Sequence, residues 1–113
     1  MRDHSELTIR KQKDFNRVYK RGNSKGSKYV VVIYIRNKLN FSRTAFVASK
    51  KVGNSVMRNR ARRLMREAYR AVSDKVGTGY DIVFVARSAI CDANENEVEK
   101  SIFGILRSVG LFD

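Results

Sequence analysis

The residues with the most evident chemistry lie between Lys50 and Arg70. All six basic residues from Arg58 onward (Arg58, Arg60, Arg62, Arg63, Arg66 and Arg70) are arginine. A guanidinium is a planar fork that holds two phosphate oxygens or two base-edge acceptors at once, whereas an ammonium acts as a point charge. Asn59 adds an amide that both donates and accepts in the middle of the run. Like charges at Arg58, Arg62 and Arg66 stand at i, i+4 on a helix, which costs roughly a few tenths of a kcal/mol per pair. Glu67 is the one acid in this stretch, whereas a helix that merely faces water usually intersperses acids for solubility. Ahead of the run, Lys50 and Lys51 lead toward Gly53-Asn54-Ser55, where lysines and free backbone N–H groups at a helix start form a plausible seat for phosphate. The Gly-x-x-x-x-Gly-Lys spacing is absent, which excludes a Walker loop. The chemistry indicated is recognition of a polyanion.

Candidates for covalent chemistry are sparse. Hydrolysis by a protein-held metal needs two or three converging carboxylates. The basic half offers only Asp3, Glu6, Asp14 and Glu67, at no ligand spacing. Asp92, Glu95, Glu97 and Glu99 fall on the first turns of a final helix, where they complement its dipole. His4 is the single histidine, in a polar arm, and a mechanism based on it is not expected. Cys91 is the single cysteine. It has no partner for an internal disulfide, fits a reducing compartment and reads as a buried thiol. No catalytic residue and no metal ligand is therefore expected on the protein.

Those residues need elements to position them. Projected as a helix, Met57, Ala61, Leu64, Met65, Ala68 and Val72 share an arc of roughly 100°, fit to pack on a sheet. Arg58, Asn59, Arg62, Arg63, Arg66 and Arg70 share another arc of about 140°, with Arg60 just beyond its edge. Upstream, Phe15, Val18 and Tyr19 predict a helix from about Lys13 to Arg21, stopped at Gly22. Residues 22–28 read as a basic loop, with an extra short strand possible near 23–30. Strands are expected at Lys28–Arg36 and Arg43–Ser49, paired antiparallel across the turn Asn37–Ser42, and a third at Tyr80–Arg87. Asp92-Ala93-Asn94-Glu95 has capping-box spacing, ahead of a helix carrying Val98, Ile102, Ile105, Leu106 and Val109 on one face. The expected class is an α+β sandwich of three or four strands covered by helices.

The whole chain has 113 residues and a formal net charge of +13. Residues 1–70 hold 20 Lys+Arg against 4 Asp+Glu, and residues 71–113 hold 4 against 7. Self-repulsion on that scale opposes compaction, so a nucleic-acid partner is the natural reading. The length suits one domain, 1–113, with residues 1–10 as a flexible arm. The longest apolar run, Tyr29 to Ile35, is seven residues, far short of the roughly 20 that a membrane span needs. The first residues lack a signal-peptide core. A cytoplasmic protein with no membrane partner is expected.

The run from Ser49-Lys50-Lys51-Val52-Gly53-Asn54 through Arg58-Asn59-Arg60 to Arg62-Arg63-Leu64-Met65-Arg66-Glu67 closely resembles the signature of the bacterial ribonuclease P protein family. The likeness extends to Asp14-Phe15, Val18-Tyr19 and Gly22, and to Asp81–Arg87, so it covers essentially the whole chain. Ser55, Ala61 and Arg62 are mild departures from the family pattern. The resemblance implies an αβββαβα sandwich like the second domain of ribosomal protein S5, with a left-handed βαβ crossover against the usual right-handed rule. It implies binding to the catalytic ribonuclease P RNA through Lys50, Lys51, Asn54, Arg58, Asn59, Arg60, Arg62, Arg63, Arg66 and Arg70. It also implies that the 5′ leader of precursor tRNA lies in a cleft formed by the first helix and a sheet face, with Lys11, Phe15, Arg17, Tyr19, Tyr29, Val31 and Ile33 as contacts. Cleavage would be done by the RNA with magnesium ions held mainly by RNA, and no obligatory protein partner is implied. Phe15 and Tyr19 remain open between core packing and stacking platforms for single-stranded RNA; Tyr29, Val31 and Ile33 share that ambiguity. The competing functions are a ribosomal or other structural RNA-binding protein, and an autonomous nuclease.

Overall fold

A computed structural model describes residues 7–113. The chain runs α1 (Gln12–Arg21), β1 (Asn23–Gly26), β2 (Val30–Arg36), β3 (Arg43–Val47), α2 (Ser55–Val72), β4 (Tyr80–Ala86) and α3 (Glu95–Ser108). Short 3-10 turns at Ser73–Lys75 and Ser88–Asp92 flank β4. The strands form one sheet in the order β1-β2-β4-β3. β2 pairs antiparallel with β1 and with β4, and β3 lies parallel to β4. The βαβ unit is therefore β3-α2-β4, built around the arginine-rich helix.

The expected antiparallel pairing of β2 with β3 does not form, because β4 lies between them. β4 is the most thoroughly buried strand: Asp81, Ile82, Val83, Phe84 and Ala86 are all buried, so both its faces must be covered. A central position between two neighbours achieves that. The possible extra strand is present as β1.

Alternation along the strands separates two apolar clusters. Val30, Val32, Ile82, Phe84 and Ala86 face α2 and α3, where they meet Ala61, Leu64, Met65, Ala68, Val98, Ile102 and Leu106. On the opposite face Ala45 and Val83 pack with Val18 of α1 and with Ile9. Each large side chain so buried contributes roughly 1.5–3 kcal/mol. Ile9 corrects the expected arm at its inner end: it is buried, and its amide donates to the Thr44 carbonyl at 2.9 Å. Residues 1–6 of the expected arm, with Asp3, His4 and Glu6, lie outside the described residues, and Thr8 forms a bridge to Thr44.

Local signals hold the helices in place. Asn54 caps α2, its Oδ1 accepting from the Met57 amide at 3.0 Å. Gly53 before it has φ 146°, and a Cβ there would strike the Met57 side chain. The capping box of α3 is made by Asn94 and Glu97, two residues beyond the expected Asp92 start, because Ser88–Asp92 forms its own 3-10 turn. At the end of α1, a Cβ on Gly22 would clash with the Val18 carbonyl and stand 2.9 Å from the Tyr34 carbonyl, so glycine permits the close approach to β2.

Asp81 is the one buried carboxylate among the described residues, at 0 % exposure. Arg43 of β3 donates to it from Nε at 2.8 Å and Nη2 at 2.6 Å, Arg17 of α1 from Nη2 at 3.0 Å, and Asn37 from Nδ2 at 2.9 Å. Arg43 also reaches Asp14 of α1 at 3.4 Å. Burial pushes the Asp81 carboxyl up, but the hydrogen bonds from Arg43, Asn37 and Arg17 outweigh it and hold the group below its usual range. A lowered folded-state pKa means stability that is present above the unfolded carboxyl pKa of roughly 3.9 and lost as pH falls through the folded value. Asp81→Asn is expected to lower unfolding stability in urea at neutral pH by about 3 kcal/mol, near the low end for a broken buried ion pair because Arg17 keeps some exposure. The difference from the wild-type chain should narrow below about pH 4 and close only at still lower pH.

Candidate nucleic-acid interface

α2 presents its arginines on a helix whose other side is locked into the core. Ala61, Leu64, Met65, Ala68 and Val72 are buried as the projection requires, but Met57 is 44 % exposed and Val56 76 %. The first turn of α2 thus projects beyond the sheet. Lys50, Lys51, Asn54, Asn59, Arg63, Arg66 and Arg70 are exposed. Arg58 and Arg62 are half-buried along the helix surface, Arg58 reaching Ser55 Oγ at 3.4 Å and Arg62 donating to Asn59 Oδ1 at 2.7 Å. Arg70 pairs with Glu67 at 3.2 Å, an exposed contact of little energetic weight.

Arg60 is exposed like its neighbours in the row, and it also makes contacts within the protein. Its guanidinium donates to the carbonyls of Cys91 at 3.4 Å and Ala93 at 3.0 Å, clamping α2 to the entry of α3. Its angular position, just outside the arginine arc and facing the next element, was the available signal. The phosphate seat also changes character. The amides of Lys51, Val52 and Gly53 bond to Ser49 Oγ, Ser49 O and Lys50 O, so the exposed ammonium groups of Lys50 and Lys51 add donors beside the first turn of α2. Cys91 is half-buried, its thiol donating to the Val52 carbonyl at 3.0 Å, rather than a core thiol.

On the opposite face of the sheet, α1 covers only part of the surface. Phe15 is half-buried against Val18 and Ala45, and Tyr19 is 46 % exposed, the two rings stacked at 6.4 Å and 20°. Val31 and Ile33 are half-buried on that same sheet face, beside Val47 and Val85. Lys11, the N-cap residue of α1, is exposed. These residues form a partly open apolar cleft bordered by a cation. Two expected members do not join them. Arg17 is committed to Asp81. Tyr29 precedes β2 in a bend and turns to the other face, where its hydroxyl donates to Glu97 Oε2 at 2.7 Å and holds that carboxyl below its usual range.

A basic α+β sandwich with an arginine-faced crossover helix and an aromatic-lined cleft is an RNA-binding architecture. The family model described as Ribonuclease P matches residues 4–110. The ribonuclease P protein component of Alkaliphilus oremlandii is 43% identical over 105 residues, covering 93% of this chain and 92% of the relative. That of Clostridioides difficile is 44% identical over 100 residues, covering 88% of each. The Staphylococcus aureus RNase P protein structure at 2.0 Å superposes with a TM-score of 0.85 at 30% identity, covering 95% of this chain and 98% of that one. The chain belongs to the ribonuclease P protein family, whose members are protein subunits of the endoribonuclease that matures tRNA 5′ ends.

The two kinds of arginine on α2 separate experimentally. Arg60→Ala should lower unfolding stability by about 1–2 kcal/mol, since two carbonyls lose a charged donor at a partly exposed site. Arg63→Ala, whose side chain is exposed, should leave the thermal melting curve within about 0.5 kcal/mol of wild type.

Proposed function

We propose that the chain binds ribonuclease P RNA through the exposed face of α2 and its lysine lead, and the 5′ leader of precursor tRNA in the cleft beside α1. The observation that carries this reading is the row of Arg58, Arg62, Arg63, Arg66 and Arg70 on a helix whose opposite stripe, Ala61, Leu64, Met65, Ala68 and Val72, is buried. The hydrophobic core fixes the helix backbone, so the arginines are presented along one side without any ordering of the main chain on binding, and only their side-chain rotamers remain to be fixed. In the cleft, Phe15 and Tyr19 supply platforms one helical turn apart, and Val31 and Ile33 an apolar floor. Stacking of this kind tolerates any base, which suits leaders of varied sequence.

On this reading the protein contributes no catalytic side chain, and the magnesium ions of the reaction are held mainly by RNA. The donor set supports that division. Among the described residues no three His, Cys, Asp or Glu side chains come close enough together to hold a metal. Asp81 has both oxygens taken by arginine, and Asp14 faces Arg43. A cytoplasmic setting follows from the RNA partners; no helix among the described residues is long and apolar enough to cross a membrane.

Reconstitution distinguishes the three candidate functions. The purified protein alone is expected to leave precursor tRNA intact, and addition of ribonuclease P RNA and magnesium at low salt to give 5′ cleavage. Cutting by protein alone would identify an autonomous nuclease, and absence of any stimulation a structural RNA-binding role. With about six phosphate contacts, affinity for the RNA should fall on the order of a thousandfold between roughly 50 and 200 mM salt; a flat profile contradicts the row. For the cleft, Phe15→Ala should weaken binding of precursors with long leaders by about tenfold relative to leaderless tRNA. An equal effect on both substrates, with a stability loss of about 3 kcal/mol or more, assigns Phe15 to the core instead.

A further inference from the structure

Around the edge of β3, from the C-terminal half of α2 on one side to Ile9 and Phe15 on the other, runs a cavity of about 530 Å³ whose α2 end lies beside the arginine row. That volume falls within the range of small-ligand sites. Its lining includes the rings of Phe41, Phe46 and Tyr69, together with Arg66 and Arg70. Phe46 and Tyr69 rest on the buried Phe84 at centroid distances of 5.1 and 5.2 Å, so the core fixes both rings. The Arg66 guanidinium lies 5.7 Å from the Phe46 centroid. Tyr69 is half-buried and lines the cavity, so its hydroxyl is a polar group available at an otherwise aromatic wall. Burial pushes that phenol up to about 12, so it is a neutral donor and acceptor at physiological pH.

We infer that this cavity receives one unpaired base of the bound RNA, laid against the aromatic walls, with its edge hydrogen-bonded to Tyr69 and its flanking phosphates held by Arg66 and Arg70. The inference rests on the reading of α2 as the RNA-binding helix. Continuity selects the occupant: Arg66 and Arg70 belong both to the row and to the cavity, so a strand that follows the row passes its mouth. Charge and shape agree, because flat rings with one polar handle and two guanidinium groups match a heteroaromatic base on a phosphate backbone.

The test uses the full chain assembled with ribonuclease P RNA. Ultraviolet crosslinking with peptide mapping is expected to join a nucleotide to Tyr69 or Phe46. Tyr69→Phe, which removes only the hydroxyl, should weaken RNA affinity about fivefold, with the melting temperature and the salt slope unchanged. Arg62→Ala, in the row but outside the cavity, should reduce the salt slope by about one and leave the crosslink in place. Crosslinks confined to the row, with Tyr69→Phe binding as wild type, overturn the cavity assignment and leave the row standing. A protein–protein crosslink at Phe46 or Tyr69 overturns it in favour of a second copy of the chain. Failure of the wild-type chain to bind the RNA with salt dependence overturns the row and the cavity together.

Discussion

Asp81 is a carboxylate with no exposure, and its donors come from α1, β3 and the connection after β2. The position of α1 depends on it. That helix has ten residues and no side-chain cap at its start, and Val18 is its one fully buried residue; a helix so short is marginal on its own. Apolar contact could attach it to the sheet but is non-directional and would favour covering as much surface as possible. The Arg17–Asp81 and Arg43–Asp14 contacts instead fix where α1 sits. They leave Val31, Ile33, Val47 and Val85 half-covered, which is what makes a cleft rather than a second closed core. Buried ion pairs are weak sources of net stability, and the contribution here is to geometry.

α2 resolves a conflict between its own electrostatics and its packing. Its arginines repel one another at i, i+4, and the first turn carries no acid to balance the helix dipole. Burial of Leu64, Met65 and Val72, with Ala61 and Ala68 allowing close approach to the sheet, outweighs these terms. The repulsion is relieved when a polyanion neutralises the row, so part of the binding free energy is release of a penalty built into the free protein.

How much of this was readable in the sequence depended on whether the signal was periodic within one element. The extent and two faces of α2 were legible, because burial and charge both repeat along it and Asn54 marks its start; the exposure of Met57 and the inward contacts of Arg60 were not. Which strands neighbour one another was not, since alternation in Tyr29–Ile35 and Arg43–Ser49 fixes faces but not partners; β4 enters from 33 residues beyond the end of β3. Ile9 has only Leu7 beside it in an otherwise polar stretch, too few apolar residues to establish a period. Tyr29 was misplaced by one residue of register: β2 begins at Val30, so the alternation does not extend back to it. The resemblance supplied the cleft, but charge alone could not show that Arg17 and Arg60 are engaged inside the protein. The Tyr69 cavity depends on β3 and α2 meeting in space and left no trace in either segment.

These internal commitments also determine where the field of the molecule points. The net charge of +13 treats every cation alike. Arg17 and Arg43 sit against Asp81 and Asp14, two cations beside two carboxylates, so that corner is close to neutral. Glu95 and Glu97 lie in the first turn of α3, and Glu95 borders the same hollow as Arg60, Arg63 and Glu67. What is left includes the arginines of α2 with Lys50 and Lys51, and on the cleft side the exposed Lys11, Lys13, Lys20 and Arg21 along α1, so a polyanion meets positive charge on both faces of the sheet. The ion pairs that hold the cleft open therefore neutralise its buried corner and leave the exposed cations of α1 at its rim, where a single strand with its phosphates would enter.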